Sequence, residues 1–253
     1  GARTADSRHS IAYNADGSVV SVTAAVGVVM NTRTNTQILY TGHRGSAIAV
    51  AVTSDGVIAA SAEIGDEAEV HLWNTMTAVC LARLTGVHHR GVTSLAFSTN
   101  NELLASIGQD FANTVAVHRS VGRTWTDGDV HMVFNMSTGP AKMLWALFTG
   151  DTFDELCPLC VGGCDSVQFF VKDSPAVRRS VGVFGRKGTI QPMLCGCVGI
   201  QTRPEPIVLT GTVSGDVYVW IQGSVEQTIH VHDEPVYAIC QVPGGYATAS
   251  KDG

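Results

Sequence analysis

The densest group of side chains that could bind a metal is the run of cysteines in LCPLCVGGCD, residues 156–165. Cys157, Cys160 and Cys164 are closely spaced, as the thiolate ligands of a zinc knuckle are. Tetrahedral zinc needs sulfurs about 3.8 Å apart. In a β-strand, by contrast, Cys157 and Cys160 would lie on opposite faces, roughly 10 Å apart along the chain. The surrounding elements therefore decide between a zinc site and a strand that carries thiols.

Two other segments contain residue types found in catalytic or binding motifs. In VGVFGRKGT, 181–189, Lys187 precedes Gly188, whereas a phosphate-binding loop needs its lysine after the last glycine. HVHDE, 230–234, is one local cluster, and zinc needs three or four converging ligands. The chain has no G-x-S-x-G or H-E-x-x-H motif. These patterns indicate no catalytic residue, no cofactor and no metal site, and they predict a protein that is not an enzyme.

Composition limits the classes of partner. The 253 residues are 45% hydrophobic and 15% charged, with a net charge of −6, so the chain has no overall basic field for nucleic acid or for a membrane surface. The apolar run at 19–30 is shorter than the roughly 20 residues that cross a bilayer. Seven cysteines, an odd number, suit a reducing cytoplasm. The first residues lack both a secretory signal and an initiator Met, so we expect a piece of a longer protein.

An internal repeat organises the chain. Short β-rich runs end at anchor positions that are separated by 43, 45, 52 and 50 residues: Met30, Trp73, His118, Phe170 and Trp220. Blades of a β-propeller repeat about every 40 to 45 residues. Around each anchor, four runs of 5 to 8 residues are bounded by Gly, Asp, Asn or Thr, which predicts four strands per repeat and little helix.

The predicted fold is therefore an all-β propeller of four-stranded antiparallel blades, with about five and a half blades present as part of a larger propeller. The expected blades are 9–41, 46–86, 91–133, 141–187 and 192–231, followed by a partial blade at 235–253.

The repeats resemble the WD-repeat family, which carries a His before the first strand, a Ser or Thr in the second, a turn Asp and a Trp in the third. The matching residues of this chain are His43, Ser61, Trp73, His89, Ser106, Asp110, Trp220 and His232. We expect these side chains to satisfy one another's hydrogen bonds inside the blades, which is a structural role.

A narrower resemblance covers most of the chain. Residues 6–43, which include TAAVGVVMN and QILYTGH, are similar to the end of the HELP motif and the first blade of the echinoderm microtubule-associated protein-like family. His9-Ser10 replaces the Asn pair usual there. The resemblance implies that 1–8 is the tail of a HELP-like motif and that 9–253 belongs to a tandem atypical propeller. It also implies tubulin or microtubules as the partner and a cytoplasmic, cytoskeletal location, including a ciliary or flagellar axoneme.

Two sets of residues are candidate partner contacts. One is a basic cluster on a predicted outer strand, Arg178, Arg179, Arg186 and Lys187, and the other lies in loops before first strands, Arg44, His88 and Arg90. Basic residues on an outer strand also protect a sheet edge, so both readings of the cluster stay open. The leading hypothesis is a non-enzymatic microtubule-associated scaffold. The alternative is an adaptor of a ciliary or signalling complex without tubulin contact.

The repeat also favours a strand over a zinc knuckle at the cysteines. Aligned with TGTVSGDVYVW at 210–220, the segment places Cys160 on Thr210, Cys164 on Ser214 and Phe170 on Trp220. We therefore expect the thiols to belong to the fourth blade.

Overall fold

The computed structural model describes residue 8 and residues 10–122, 124–151, 158–173, 176–200 and 204–252. Within these ranges the fold is all-β with no helix, which confirms the predicted fold class. No helix in this part of the chain could therefore cross a membrane. Most of the predicted HELP-like tail at 1–8, His9 and Cys157 lie outside the described residues. The HELP-like tail and the larger, tandem atypical propeller stay predictions.

The chain divides into two compact units, and the described part of unit 1, Gly1–Pro140, contains three four-stranded antiparallel sheets. Blade 1 consists of β1 to β4, at Ile11–Tyr13, Val19–Thr23, Val26–Asn31 and Thr36–Tyr40. Blade 2 consists of β5 to β8, at Ala47–Val52, Ile58–Glu63, Ala68–Asn74 and Cys80–His88. Blade 3 consists of β9 to β12, at Val92–Phe97, Leu103–Gly108, Thr114–Ser120 and Val130–Ser137.

Unit 2, Ala141–Gly253, contains two four-stranded sheets and one two-stranded sheet among its described residues. Blade 4 consists of β13 to β16, at Met143–Phe148, Leu159–Gly163, Val167–Asp173 and Ala176–Val181. Blade 5 consists of β17 to β20, at Met193–Val198, Ile207–Thr212, Asp216–Ile221 and Ser224–His230. The partial blade 6 consists of β21 and β22, at Val236–Val242 and Gly245–Ser250.

Each sheet runs in chain order from the first strand to the last, and every pair of neighbouring strands is antiparallel. Second strands such as β10 and β14 are buried along their whole length, whereas fourth strands such as β16 are mostly exposed. A strand that is covered on both faces reads as a continuous run of apolar and small residues, as LLASIG and LCVGG do.

Large aromatic side chains of third strands join neighbouring blades. In unit 1, Trp73 of blade 2 stacks on Tyr40 of blade 1 with ring centroids 4.9 Å apart, and it fills the space beside Gly27. In unit 2, Trp220 of blade 5 contacts Phe169 of blade 4 and Phe184. Both indoles are buried, so these contacts fix the positions of the polar groups around them.

Candidate functional site

A buried network of polar side chains lies in blade 2, formed by His43, Ser61, Glu63 and Trp73, and we call it the blade 2 network. Trp73 Nε1 donates to Ser61 Oγ at 2.9 Å, and His43 Nε2 lies 2.6 Å from the same oxygen. His43 Nδ1 lies 3.2 Å from Glu63 Oε2. Since a carboxylate only accepts, Nδ1 carries the proton, and the Ser61 hydroxyl donates to Nε2 while it accepts from the indole. Each buried polar group thus has a partner.

A second chain of hydrogen bonds packs against this network. Tyr40 Oη lies 2.7 Å from His71 Nδ1, and His71 Nε2 lies 2.8 Å from Glu69 Oε2. The His71 ring stacks on His43 at 4.1 Å. Tyr40, Glu63 and His71 are not among the residues predicted from the sequence. A signal for His71 exists, because it pairs directly with Ser61 across β6 and β7 and therefore lies on the same face of the sheet.

The buried histidines of unit 1 are neutral near pH 7. Burial lowers the pKa of His43 to about 4, and the neighbouring His71 adds to this effect against the opposing charge of Glu63. Burial also lowers the pKa of His71. The Glu63 carboxylate accepts the backbone N–H groups of Arg44 and Gly45, each at 3.0 Å, and its pKa is lowered although its burial acts in the opposite direction. The imidazoles of this site are thus neutral, whereas the Glu63 carboxylate is ionised and is held by two backbone N–H donors.

The role assigned to His89 belongs to His88. His88 is buried with Nε2 2.7 Å from Ser106 Oγ, while His89 is exposed and its ring contacts the backbone oxygen of Asp66. The strand register explains the difference. In blade 2, Val50 of the first strand pairs with Ser61, and His43 lies seven residues before Val50. In blade 3, Leu95 of the first strand pairs with Ser106, and His88 lies seven residues before Leu95. Because it is buried, His88 is not available for contact with a partner, and its prediction as a partner contact is wrong.

Blade 3 satisfies its polar groups less completely than blade 2. His118 occupies the third-strand position of Trp73, since it pairs with Leu104 as Trp73 pairs with Ala59. Nδ1 of His88 and Nδ1 of His118 have no hydrogen-bond partner among the described residues, and burial lowers the pKa of both side chains to about 4. Asp110 instead accepts hydrogen bonds within its own turn, from the backbone of Ala112 and from Thr114.

Blade 6 repeats three groups of the blade 2 network, namely the imidazole, the hydroxyl and the carboxylate. His232 Nε2 lies 2.9 Å from Thr248 Oγ1, and His232 Nδ1 lies 3.0 Å from Asp252 Oδ2. In blade 5 only the indole and hydroxyl remain, with Trp220 Nε1 donating to Thr210 Oγ1 at 2.9 Å. Blade 4 has Phe170 at the Trp position and Val161 at the Ser position.

The cysteine segment is part of blade 4, in a register one residue away from the sequence alignment. Ala146 pairs with Val161, as Gly196 pairs with Thr210, so Val161 and not Cys160 is the counterpart of Thr210. Cys160 is fully buried in β14 against the apolar core, and this burial raises the pKa of its thiol well above the ordinary value. The described residues contain no group of three or more His, Cys, Asp or Glu that could hold a metal ion.

The basic cluster does not lie on one face of β16. Arg178 and Arg179 are consecutive residues of β16 and therefore project to opposite faces. Arg178 lines a groove of about 350 Å³ beside Phe169 and Trp220. Lys187 Nζ lies 2.7 Å from Glu226 Oε2, so part of the positive charge is balanced. Arg186 is exposed.

Two arginines in unit 1 are exposed in the loops that lead into first strands. Arg44 precedes β5, and its backbone N–H is fixed by Glu63. Arg90 precedes β9 with φ of 76°, and its backbone oxygen accepts from Gly65. Because their backbones are held by the Glu63 side chain and by Gly65, both side chains extend from fixed points on the surface.

Comparison with known proteins supports this arrangement of repeats. A family profile described as WD domain, G-beta repeat, matches residues 78–111, which include the fourth strand of blade 2 and the first two strands of blade 3. Echinoderm microtubule-associated protein-like 2 of Rattus norvegicus is 24% identical over 97% of this chain and 38% of its own length.

The chain contains a WD repeat and is similar along nearly its whole length to echinoderm microtubule-associated protein-like proteins. Ciliary WD repeat-containing protein ctxp80 of Euplotoides octocarinatus is 23% identical over 100% of this chain and 36% of its own length. Centriole proteome protein 16 of Chlamydomonas reinhardtii is 41% identical over 69 residues, which are 27% of this chain and 3% of that protein. The chain thus spans less than two fifths of the length of these relatives.

Proposed function

We propose that this chain is a non-enzymatic scaffold that binds microtubules through its blade surfaces. The observation that carries the proposal is the similarity to a microtubule-associated protein along 97% of the chain. The geometry supports a scaffold, because the polar repeat residues bond to one another inside the blades while arginines extend from fixed loops. Binding platforms of this kind consist of loops on rigid strands.

A second candidate function is an adaptor in a ciliary assembly. The specific observation that favours it is the similarity to a ciliary WD-repeat protein over the whole chain. Such an adaptor would use the same fold but would not bind tubulin directly. Both candidates place the protein at the cytoskeleton.

Co-sedimentation with polymerised tubulin separates the two, and charge reversal locates the surface. We expect Arg44→Glu combined with Arg90→Glu to reduce the pelleted fraction and to make the remaining binding less sensitive to salt, since exposed charges are screened over about 10 Å at 0.1 M salt. The matched control is Arg33→Glu, another exposed arginine, in the turn between β3 and β4. A parallel variant, Arg178→Glu with Arg179→Glu, tests the basic strand.

If Arg33→Glu weakened pelleting as much as the double loop variant, the contact would be nonspecific charge attraction and the loops would not be the binding surface. If only the β16 variant weakened it, the interface would belong to blade 4.

A further inference from the structure

Phe111 is the most exposed large hydrophobic residue in the part of the chain that the structure describes, at 83%. It lies in the turn between β10 and β11 of blade 3, which comprises residues 109–113. The other four-stranded blades have shorter turns without an aromatic residue at this place, namely 24–25, 64–67, 164–166 and 213–215. The exposed ring is therefore a feature of blade 3 and does not belong to the repeat.

Hydrogen bonds within the turn hold its backbone on both sides of Phe111. The Asp110 carboxylate accepts the backbone N–H of Ala112 and the hydroxyl of Thr114, each at 3.0 Å. The backbone oxygen of Asp110 also accepts the N–H of Asn113 at 2.9 Å. The turn thus has a defined conformation of its own.

The end of β12 holds the same turn from outside. Asn113 Nδ2 donates to the backbone oxygen of Gly139 at 2.9 Å, and Thr138 Oγ1 donates to the backbone oxygen of Asn113 at 2.9 Å. The backbone N–H of Thr138 donates to the oxygen of Ala112 at 3.1 Å. Phe111 is therefore exposed on a fixed backbone, and an aromatic ring with two side-chain torsions loses little freedom when a partner covers it.

The loop that carries Arg90 is bonded to this turn. The backbone N–H of Gln109 donates to the oxygen of Gly91 at 2.8 Å. The approach is close, since a Cβ on Gly91 would lie 3.0 Å from Oε1 of Gln109. Phe111 and Arg90 thus extend from adjacent, hydrogen-bonded segments of unit 1.

Arg90 has a backbone conformation that suits glycine better than arginine. Its φ is 76°, in the left-handed region, where a Cβ is unfavourable. Its side chain is exposed, and among the described residues no hydrogen bond or ion pair holds the guanidinium. Arginine at this position therefore gives the fold nothing that glycine would not, which indicates a use outside the fold.

The charges around Arg90 limit the kind of partner. The backbone N–H of Gly65 donates to the oxygen of Arg90 at 3.2 Å, and the exposed Asp66 and Glu67 follow in the same turn of blade 2. A partner surface that is acidic throughout would be repelled by these two carboxylates. A single carboxylate beside an apolar pocket fits the combination of ring and guanidinium better.

We propose that Phe111 and Arg90 are the anchor of the microtubule contact, with the ring in an apolar pocket of the partner and the guanidinium on a carboxylate at the rim of that pocket. This inference rests on the proposed function and adds to it the class of surface that is recognised. Aromatic residues and arginine are enriched at protein interfaces, and a guanidinium binds a carboxylate through two parallel hydrogen bonds.

Co-sedimentation of the whole chain with polymerised tubulin, over a range of tubulin concentrations, tests the ring. We expect Phe111→Ala to weaken binding by about tenfold or more, because the partner loses its contact with the phenyl group. The control Ile190→Ala, at a side chain of unit 2 that is 71% exposed, should leave the affinity unchanged. Since both side chains are exposed, both variants should melt at the temperature of the wild type.

Arg90→Gly separates a partner contact from a structural role. Glycine relieves the left-handed backbone, so the melting temperature should not fall. Binding should weaken by about tenfold, the effect of hydrogen bonds to a charged group, and should depend less on salt. The control Arg33→Gly removes the same charge from the exposed turn between β3 and β4 and should leave the affinity nearly unchanged.

The outcomes distinguish this anchor from the proposed function. A wild-type chain that never pellets with tubulin would overturn both. A wild-type chain that pellets, with equal affinities for wild type and Phe111→Ala, would overturn the anchor alone. A lower melting temperature with unchanged binding for Arg90→Gly would also overturn it, as would a wild-type dimer that Phe111→Ala converts to monomers, because a second copy would then cover the ring.

Discussion

At the residue scale, stability depends on whether each buried imidazole has partners for both nitrogens. His43 has two, Ser61 and Glu63, whereas His88 and His118 each have an Nδ1 without a hydrogen-bond partner among the described residues. The sequence pattern was sufficient to select His43, Ser61 and Trp73, because the family spacing marks them. It could not separate His88 from His89, since two consecutive histidines differ only in the face that the strand register gives them.

Ser61 makes two hydrogen bonds in the blade 2 network, and we expect Ser61→Ala to lower the free energy of unfolding by about 1 to 3 kcal/mol because the Trp73 indole N–H and His43 Nε2 would lose their partner. Urea denaturation measures the change. Ser46→Ala is the matched control on an exposed serine before β5 and should change stability by less than about 0.5 kcal/mol. Equal effects of the two substitutions would show that the network is not stabilising.

Acidification is expected to destabilise the fold. His43, His88 and His118 have folded pKa values of about 4 against an ordinary value of 6.5, so below pH 6.5 the unfolded chain binds more protons than the folded one. The stability is therefore fully present above about pH 6.5 and is lost as the pH falls towards 4, by a few kcal/mol in order of magnitude. The carboxylates of Glu63 and Glu69 raise the pKa of His43 and His71, which reduces the loss of stability from these two imidazoles.

Unfolding free energies measured from pH 7.5 to 4.5 check this expectation. His118→Phe should make the pH dependence shallower, since Phe170 already occupies the equivalent position in blade 4. His89→Gln, at an exposed histidine, should leave it unchanged. A stability that did not fall below pH 6.5 would contradict the burial of these imidazoles.

At the element scale, the pattern of four runs per repeat predicted the number, type and order of the strands, because turn residues bound each short β-rich segment. Register within strands was harder to predict. β14 is buried on both faces, so its sequence has no apolar-polar alternation to show which residue faces which side. This is why the alignment of Cys160 with Thr210 was displaced by one residue, and why Val161 is the true counterpart.

Blades 4 and 5 pack so closely that glycine is required at their contact. A Cβ on Gly196 of β17 would lie 2.6 Å from Cζ3 of Trp145, and the indole itself is buried and donates to the backbone oxygen of Met193. We expect Gly196→Ala to lower the free energy of unfolding by about 1 to 3 kcal/mol through overpacking.

Thermal melting checks this expectation against Gly65→Ala, since a Cβ at Gly65 would meet no atom within 4 Å. Equal melting temperatures for wild type and Gly196→Ala would mean that Trp145 moves aside without cost, which would contradict tight packing between these two blades.

At the scale of the whole molecule, the sequence was informative about family and fold but not about the interaction surface. Trp73, His118, Phe170 and Trp220 are buried and follow one another after 45, 52 and 50 residues, so they are recognisable. Partner contacts follow no spacing, and the four basic residues at 178–187 looked like one cluster although Arg178 and Arg179 project to opposite faces. Consecutive charges in a strand project to opposite faces and do not form one surface.

The most direct test of the proposed function is the equilibrium binding of the wild-type chain to purified, polymerised tubulin. Pelleting over a range of tubulin concentrations at low salt measures the affinity without any other protein present. We predict saturable co-pelleting that weakens as salt is added. Bovine serum albumin in place of the chain is the control and should not pellet with the tubulin. A chain that stays in the supernatant at every tubulin concentration would contradict direct microtubule binding and would favour the adaptor function.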